Sequence, residues 1–370
     1  MTTENDITVT RRAMVQSTGA ALIGATANSA VRASQHERPL RVVQIGLQGH
    51  YGFVQQGLKS ARGCEFVAGA RSMPDEPIEK LKTSGGEGGI ALFDDYHEMI
   101  MQVKPDIVAT FAPYGLNGRV NLDAAKAGCH VISEKPLAAT LEELNELRRV
   151  RDEKKLHVTA LLPMRDTPTF AAARQVVREG RIGEPVLISA QKSYRWGKKR
   201  PDFYKKRDTF GGSILWVAIH AIDFIRSVSG LEYRDVTARQ AVKVHTDYPE
   251  CEDCGALLFT MSNGGQATLT FDFLRPAKAA SHGDDRLRIV GSKGVVEVRA
   301  SDETWCEVVT TAEDAQRIEG VETGVSVFPD FVRTIRDGGS YYLAKEDPFI
   351  ATEAAIRGRM AADEEKTVSF

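Results

Sequence analysis

Between Leu40 and Leu161, short apolar runs alternate with stretches of helical periodicity, and this alternation constrains the fold more than any other feature. The runs are Leu40–Gly46 (LRVVQIG), Glu65–Ala70 (EFVAGA), Asp106–Thr110 (DIVAT), His130–Ser133 and Leu156–Leu161. Each is short and apolar almost throughout, as strands buried on both faces of a parallel sheet are. Helices are expected between them, at Phe53–Ser60, Asp95–Val103, Asn117–Ala127 and Leu141–Lys154. The glycine-rich stretch Ser84–Ile90 is expected to be a loop. Repeated strand–helix–strand units predict a buried parallel sheet.

After about residue 162 the pattern changes. Helices are expected at Asp166–Glu179 and Ile214–Val228, and strands at Val186–Gln191, Val236–Val244, Ala256–Met261, Gln266–Phe273, Arg286–Val290 and Val295–Val298. Ser262-Asn-Gly-Gly265 reads as a hairpin turn, and helices at Phe328–Arg336 and Phe349–Ala361 close the chain. Strand following strand predicts a largely antiparallel open sheet. The fold class is therefore α/β plus α+β. The expected organisation is a tail over 1–37, a dinucleotide-binding (Rossmann) domain over 38–162 and a substrate and oligomerisation domain over 163–370.

The 370 residues are 42% hydrophobic and 26% charged, with a net charge of −2, which argues against a nucleic-acid or anionic-membrane surface. Five cysteines are too few and too scattered for a disulfide framework, and Cys251-Glu-Asp-Cys254 lacks the second ligand pair of a closed zinc site, so no metal is expected. In the tail, Arg11-Arg12 precedes a weakly apolar, small-residue run from Ser17 to Val31, with an Ala-x-Ala step at Ala25. This resembles a twin-arginine signal, too short for a membrane span. It predicts export of the folded protein to the periplasm, with a cytoplasmic location as the alternative.

Candidate chemistry sits where the first strands end. Gly46-Leu-Gln48-Gly49-His50-Tyr51-Gly52 joins the first strand to the first helix. Glycines there let the backbone approach a pyrophosphate at a helix N-terminus, although Gln48 and Tyr51 replace two glycines of the strict pattern. At the end of the second strand an acid would bind the ribose hydroxyl of NAD. Arg71-Ser72 stand there instead and suit a 2′-phosphate, so NADP is expected, with NAD possible. Ser133-Glu134-Lys135-Pro136 leaves another strand at the carboxyl edge of the sheet, where open α/β sheets hold ligands. In Gly211–Asp223, His220 and Asp223 share a helical face, with Trp216 one turn earlier.

These residues, with Ala124-Ala-Lys-Ala-Gly-Cys-His-Val131 and Arg288-Ile-Val-Gly-Ser-Lys-Gly294, resemble the glucose–fructose oxidoreductase / inositol dehydrogenase / rhizopine catabolism family of NAD(P)-dependent oxidoreductases, from Leu40 to the C-terminus. The resemblance implies hydride transfer at a carbinol carbon of a sugar, sugar derivative or cyclitol. Lys135 would touch nicotinamide and substrate, His220 would be the active-site histidine, and Ala112, Pro113 and Glu134 would lie at the cofactor. It also implies a homodimer or homotetramer. An aspartate usually stands where Trp216 is, and Tyr114 and Asn117 replace the usual asparagine and histidine after Pro113. His220 can still serve as base, Lys135 can hold the oxygen, and Asp223 can orient His220. The aromatic, basic stretch Tyr194-Arg195-Trp196 onward is expected to line the substrate cleft with Trp216. Two other functions fit the same resemblance: a cofactor-assisted glycosidase or lyase using transient oxidation, and a lapsed dinucleotide- or sugar-binding protein.

Overall fold

The computed structural model describes residues 38–85, 89–197 and 199–370. The paired arginines Arg11 and Arg12 and the Ala-x-Ala step lie outside the described residues. The first sheet is built from β1 (Leu40–Gly46), β2 (Cys64–Ala70), β3 (Ala91–Phe93), β4 (Ile107–Phe111), β5 (His130–Ser133) and β6 (Val158–Ala160). All six run parallel, in the order β3-β2-β1-β4-β5-β6. Their connections carry helices α1 (Tyr51–Leu58), α2 (Tyr96–Val103), α3 (Asn117–Lys126) and α4 (Leu141–Glu153). Strand order reverses between β1 and β4, so the carboxyl ends of β1, β4 and β5 open onto one crevice.

The second sheet has nine strands: β7 (Pro185–Tyr194), β8 (Tyr233–Ala241), β9 (Cys254–Met261), β10 (Gln266–Asp272), β11 (Gly283–Gly291), β12 (Gly294–Ala300), β13 (Thr304–Thr310), β14 (Gln316–Ile318) and β15 (Val368–Ser369). Its order is β14-β13-β12-β11-β7-β10-β9-β8-β15, and every neighbouring pair is antiparallel except β7 with β10. The hairpin at Ser262–Gly265 joins β9 to β10 as expected. Helices α5 (Pro168–Arg178), α6 (Ile219–Ser229), α7 (Val327–Asp337) and α8 (Asp347–Asp363) complete the chain. Leu40–Phe370 is one compact unit. Its main core runs without a break from Val43, Val108 and Val131 of the parallel sheet to Ile222, Phe259 and Phe349.

Several boundaries differ from expectation for local reasons. The helix expected from Asp166 starts at Pro168, because proline restricts the residue before it and fits the first helical position; a 3₁₀ turn covers Pro163–Asp166. A 3₁₀ stretch, Ile78–Gly85, reaches into the expected loop. The strands at Ala91–Phe93, Thr304–Thr310, Gln316–Ile318 and Val368–Ser369 were not expected; three of the four lie at sheet edges and are two or three residues long, too short to show a period. The helix expected over Ile214–Val228 begins as a π-helix, Ile214–Ala218, before the α-helical turns of α6. A π turn is wider than an α turn, and Trp216 lies within it while His220 lies in the α-helical part. Arg207–Ser229 is long and apolar enough to cross a membrane by length and composition, and it is mostly buried inside the fold.

Candidate active site

The turn after β1 depends on two glycines in the left-handed region. Gly46 has φ +80 and a Cβ there would lie 2.3 Å from the Phe111 carbonyl oxygen. Gly49 has φ +62 and its Cβ would meet the Glu134 carboxyl carbon at 2.5 Å. Both are required by the chain's own packing, apart from any approach to a pyrophosphate. Gln48 donates its N–H to the Phe111 carbonyl at 2.9 Å, locking the turn onto β4 beside Ala112 and Pro113. Helix α1 then starts at Tyr51 with no side-chain cap from His50 and no acid in its first turn, and the space beside Gly52 is open. An uncapped helix N-terminus at a glycine turn fits the pyrophosphate of a dinucleotide.

The β2 end is arranged differently from the expectation. Arg71 was assigned to a 2′-phosphate, but its Nε binds Asp94 at 2.8 Å, one terminal nitrogen binds Glu79 at 3.0 Å and the other donates to the Glu76 carbonyl. Each of its three nitrogens is bonded to a protein acceptor. Glu76, which sequence reasoning missed, is buried beside the glycine turn. One carboxylate oxygen accepts from the Leu47 N–H at 2.7 Å and Gln48 Nε2 at 3.0 Å; the other accepts from the Ser72 N–H at 2.9 Å and Oγ at 2.8 Å. Glu76 thus ties the glycine turn to the end of β2. Asp75, Asp94 and Asp95 line the adjoining hollow with Arg71 and Ser72.

At the end of β5 the structure places Glu134 and Lys135 in the crevice, both buried. Glu134 accepts from the His50 N–H at 2.9 Å, meets His50 Nδ1 at 3.0 Å and lies 3.5 Å from Lys135 Nζ. Burial pushes its carboxyl up, but His50 and the Lys135 ammonium outweigh burial and hold it below the usual carboxylate range. The Lys135–Pro136 peptide is cis. Asn117 donates to the Glu134 and Pro136 carbonyls at 3.2 and 3.3 Å, so it braces this loop. Lys135 Nζ donates to the Trp216 carbonyl and lies 5.2 and 5.4 Å from the Tyr114 and Trp216 ring centres. Burial lowers the Lys135 ammonium to about 8, with Glu134 opposing the fall and Lys192 adding to it.

His220 is 3% exposed, its ring edge-on to His50 at 5.7 Å, and its Nδ1 has no hydrogen-bond partner among the described residues. Burial first, then the charges of Lys135, Lys192 and His50, holds its imidazole well below the usual histidine range. Asp223 does not orient His220. Its carboxylate pairs with Arg165, at 2.8 Å from Nε, and Arg165 continues to Asp347. Trp216 is not an open platform: its ring stacks on Tyr114 (5.4 Å) and Phe273 (5.1 Å), with Arg200 4.7 Å from its centre. Trp196 joins the same aromatic cluster, stacked on His245 at 3.8 Å. Arg195 falls, by the alternation along β7, with Ser193 on the face away from Tyr194.

Tyr194 does reach the crevice. It lines a cavity of about 400 Å³ with His50, Phe53, Met164, His220 and Val327. Beneath it lies Lys192, 0% exposed, whose Nζ is 2.8 Å from Asp285 Oδ2. Neither residue was singled out in the sequence, since a lysine inside an apolar strand carries no motif and its partner is 93 positions away.

Residues 40–161 match the oxidoreductase family with an NAD-binding Rossmann fold, and residues 170–297 match the GFO/IDH/MocA C-terminal domain. The chain belongs to the Gfo/Idh/MocA oxidoreductases. A solved oxidoreductase from Thermotoga maritima is 35% identical, with a TM-score of 0.83 over 90% of this chain and all of that one. Myo-inositol 2-dehydrogenase of Thermotoga maritima is 24% identical over 75% of this chain and 84% of its own length. Levoglucosan dehydrogenase in complex with NADH superposes with a TM-score of 0.76 over 90% of this chain and 99% of that one, and at 19% identity this is a likeness of fold. Other curated relatives are matched over about half to three-fifths of their own length.

Proposed function

We propose that this Gfo/Idh/MocA chain is an NAD-dependent dehydrogenase of a neutral cyclic polyol, a sugar or a cyclitol. The observation that carries the reading is the pairing of a buried lysine near its titration point with a buried neutral histidine, beside a cavity at the crevice of a dinucleotide fold. Bound NAD would supply the hydride acceptor for the carbinol carbon. The α1 N-terminus, the turn from Gly46 to Tyr51 and Glu134 would hold its diphosphate and nicotinamide end. The Lys135 ammonium donates a hydrogen bond to the substrate oxygen and stabilises the negative charge that grows there. His220, neutral, takes the hydroxyl proton on Nδ1.

NAD is favoured over the expected NADP because Arg71 is tied to Asp94 and Glu79. A 2′-phosphate would have to break those pairs beside Asp75 and Asp95. A small cyclic polyol is favoured by the size of the cavity and by the named activities of the inositol and levoglucosan dehydrogenases. The test is oxidation of myo-inositol, D-glucose and levoglucosan with NAD, followed as NADH at 340 nm. Net NADH from one of them is expected. Product formation with no net NADH would select the transient-oxidation reading instead.

Two sequence expectations extend the proposal. Arg11-Arg12 supports export of the folded enzyme, tested by fractionating cells that express the Arg11→Lys, Arg12→Lys chain. Exposed Leu187, Leu258 and Val309 on the nine-stranded sheet support a homodimer or homotetramer, tested by light scattering.

A further inference from the structure

The helix that carries His220 brings no carboxylate to the cavity, because Asp223 is committed to Arg165. Asp166, paired with Arg174, lines the cavity, and a second carboxylate lies behind its Tyr194 and Met164 wall. Asp285 on β11 sits directly opposite Lys192 on β7, and the two are joined across the strands at 2.8 Å. A buried ion pair with a purely structural role is stabilising only when its remaining donors and acceptors are satisfied. This one is not. Asp285 Oδ1 is buried and has no partner among the described residues. Lys192 Nζ has three donors; besides Asp285 it meets the Tyr194 side chain and the Met164 sulfur, the latter at 2.7 Å and a weak acceptor. Met164 and Tyr194, whose ring centre lies 4.6 Å from Lys192 Nζ, are walls of the cavity that also contains His220.

We propose that the Lys192–Asp285 pair grips a second hydroxyl of the substrate, adjacent to the one held by Lys135 and His220, so that the site selects a vicinal diol. A hydroxyl is both donor and acceptor: it donates a hydrogen bond to the unpartnered Asp285 Oδ1, and its oxygen accepts the Lys192 Nζ donor that now meets the Met164 sulfur. Met164, flexible about three bonds, turns aside to admit it. A carboxylate or phosphate at this point would face the Asp285 charge. This inference rests on the polyol-dehydrogenase reading and adds to it the group recognised.

The test uses the full-length protein with Asp285→Asn and Lys192→Met, assayed with NAD on myo-inositol, D-glucose and the deoxy analogue lacking the hydroxyl next to the oxidised carbon. NADH binding to each variant reports folding, since that site lies on the other sheet. Asp285→Asn is expected to lose about ten- to a hundred-fold in kcat/KM, mainly through KM. The wild type is expected to lose as much on the deoxy analogue, and the variant to lose nothing further on it. An Asp285→Asn enzyme that binds NADH and keeps kcat/KM within two-fold of wild type overturns the inference and leaves the polyol reading standing. Failure of the wild type to oxidise any polyol while binding NADH overturns that reading, and the inference with it.

Discussion

Two buried lysines, one on each sheet, behave in opposite ways. Lys135 leaves the parallel sheet at the end of β5 with the Glu134 carboxylate 3.5 Å away, and burial lowers it to about 8. Lys192 lies within the antiparallel sheet with Asp285 at 2.8 Å; burial pushes it down, but Tyr194 and Asp285 outweigh burial and hold it above the usual lysine range. The first can give and take a proton near neutral pH, and the second is a fixed cation. The difference teaches that depth of burial does not decide a lysine's role; the groups that face it do, Tyr194 and Asp285 at Lys192 against Glu134 and a second cation at Lys135.

The largest expected effect comes from removing the labile lysine. Lys135→Met should lower kcat about 10³-fold while NADH still binds, which steady-state kinetics and a fluorescence titration check together. Equal loss in Lys192→Met would erase the distinction between the two. Next is the pH profile. Lys135 must be protonated to hold the oxygen, so kcat/KM should fall as pH rises through about 8. His220 is already neutral well below its ordinary value, so no loss is expected on the acid side near 6.5. Activity that rises through pH 8 would make Lys135 the base instead.

On the cofactor side, Gly49→Ala places a Cβ in a left-handed residue and against Glu134. It should cost roughly 2 kcal/mol of stability, read by denaturant unfolding. The smallest effect is expected from Arg71→Ala, which removes ion pairs at the protein surface. Affinity for NADPH should change by less than about three-fold. A larger loss would restore Arg71 as a phosphate ligand.

The two halves of the site were unequally legible in the sequence. The turn from Gly46 to Gly52 and the step Glu134-Lys135-Pro136 are local: spacing, strand ends and glycine conformation announce them. His220 was reached by resemblance. The π turn at the start of its helix is invisible to a 3.6-residue period, and Trp216 packs among Tyr114 and Phe273 while its carbonyl holds Lys135. Glu76, Asp285 and Lys192 were missed because their partners are set by strand register and loop path, which sequence spacing does not encode. Arg71 was read correctly as a cation at the end of β2, but Asp94 comes from the loop after β3 and could not be placed beside it.

The most direct test of the account is a parallel titration of the purified protein with NADH and NADPH, following energy transfer from tryptophan to the dihydronicotinamide. The account predicts saturable binding of NADH, at least ten-fold tighter than NADPH because of the acids around Arg71. Absence of binding by either, or tighter binding of NADPH, would contradict it.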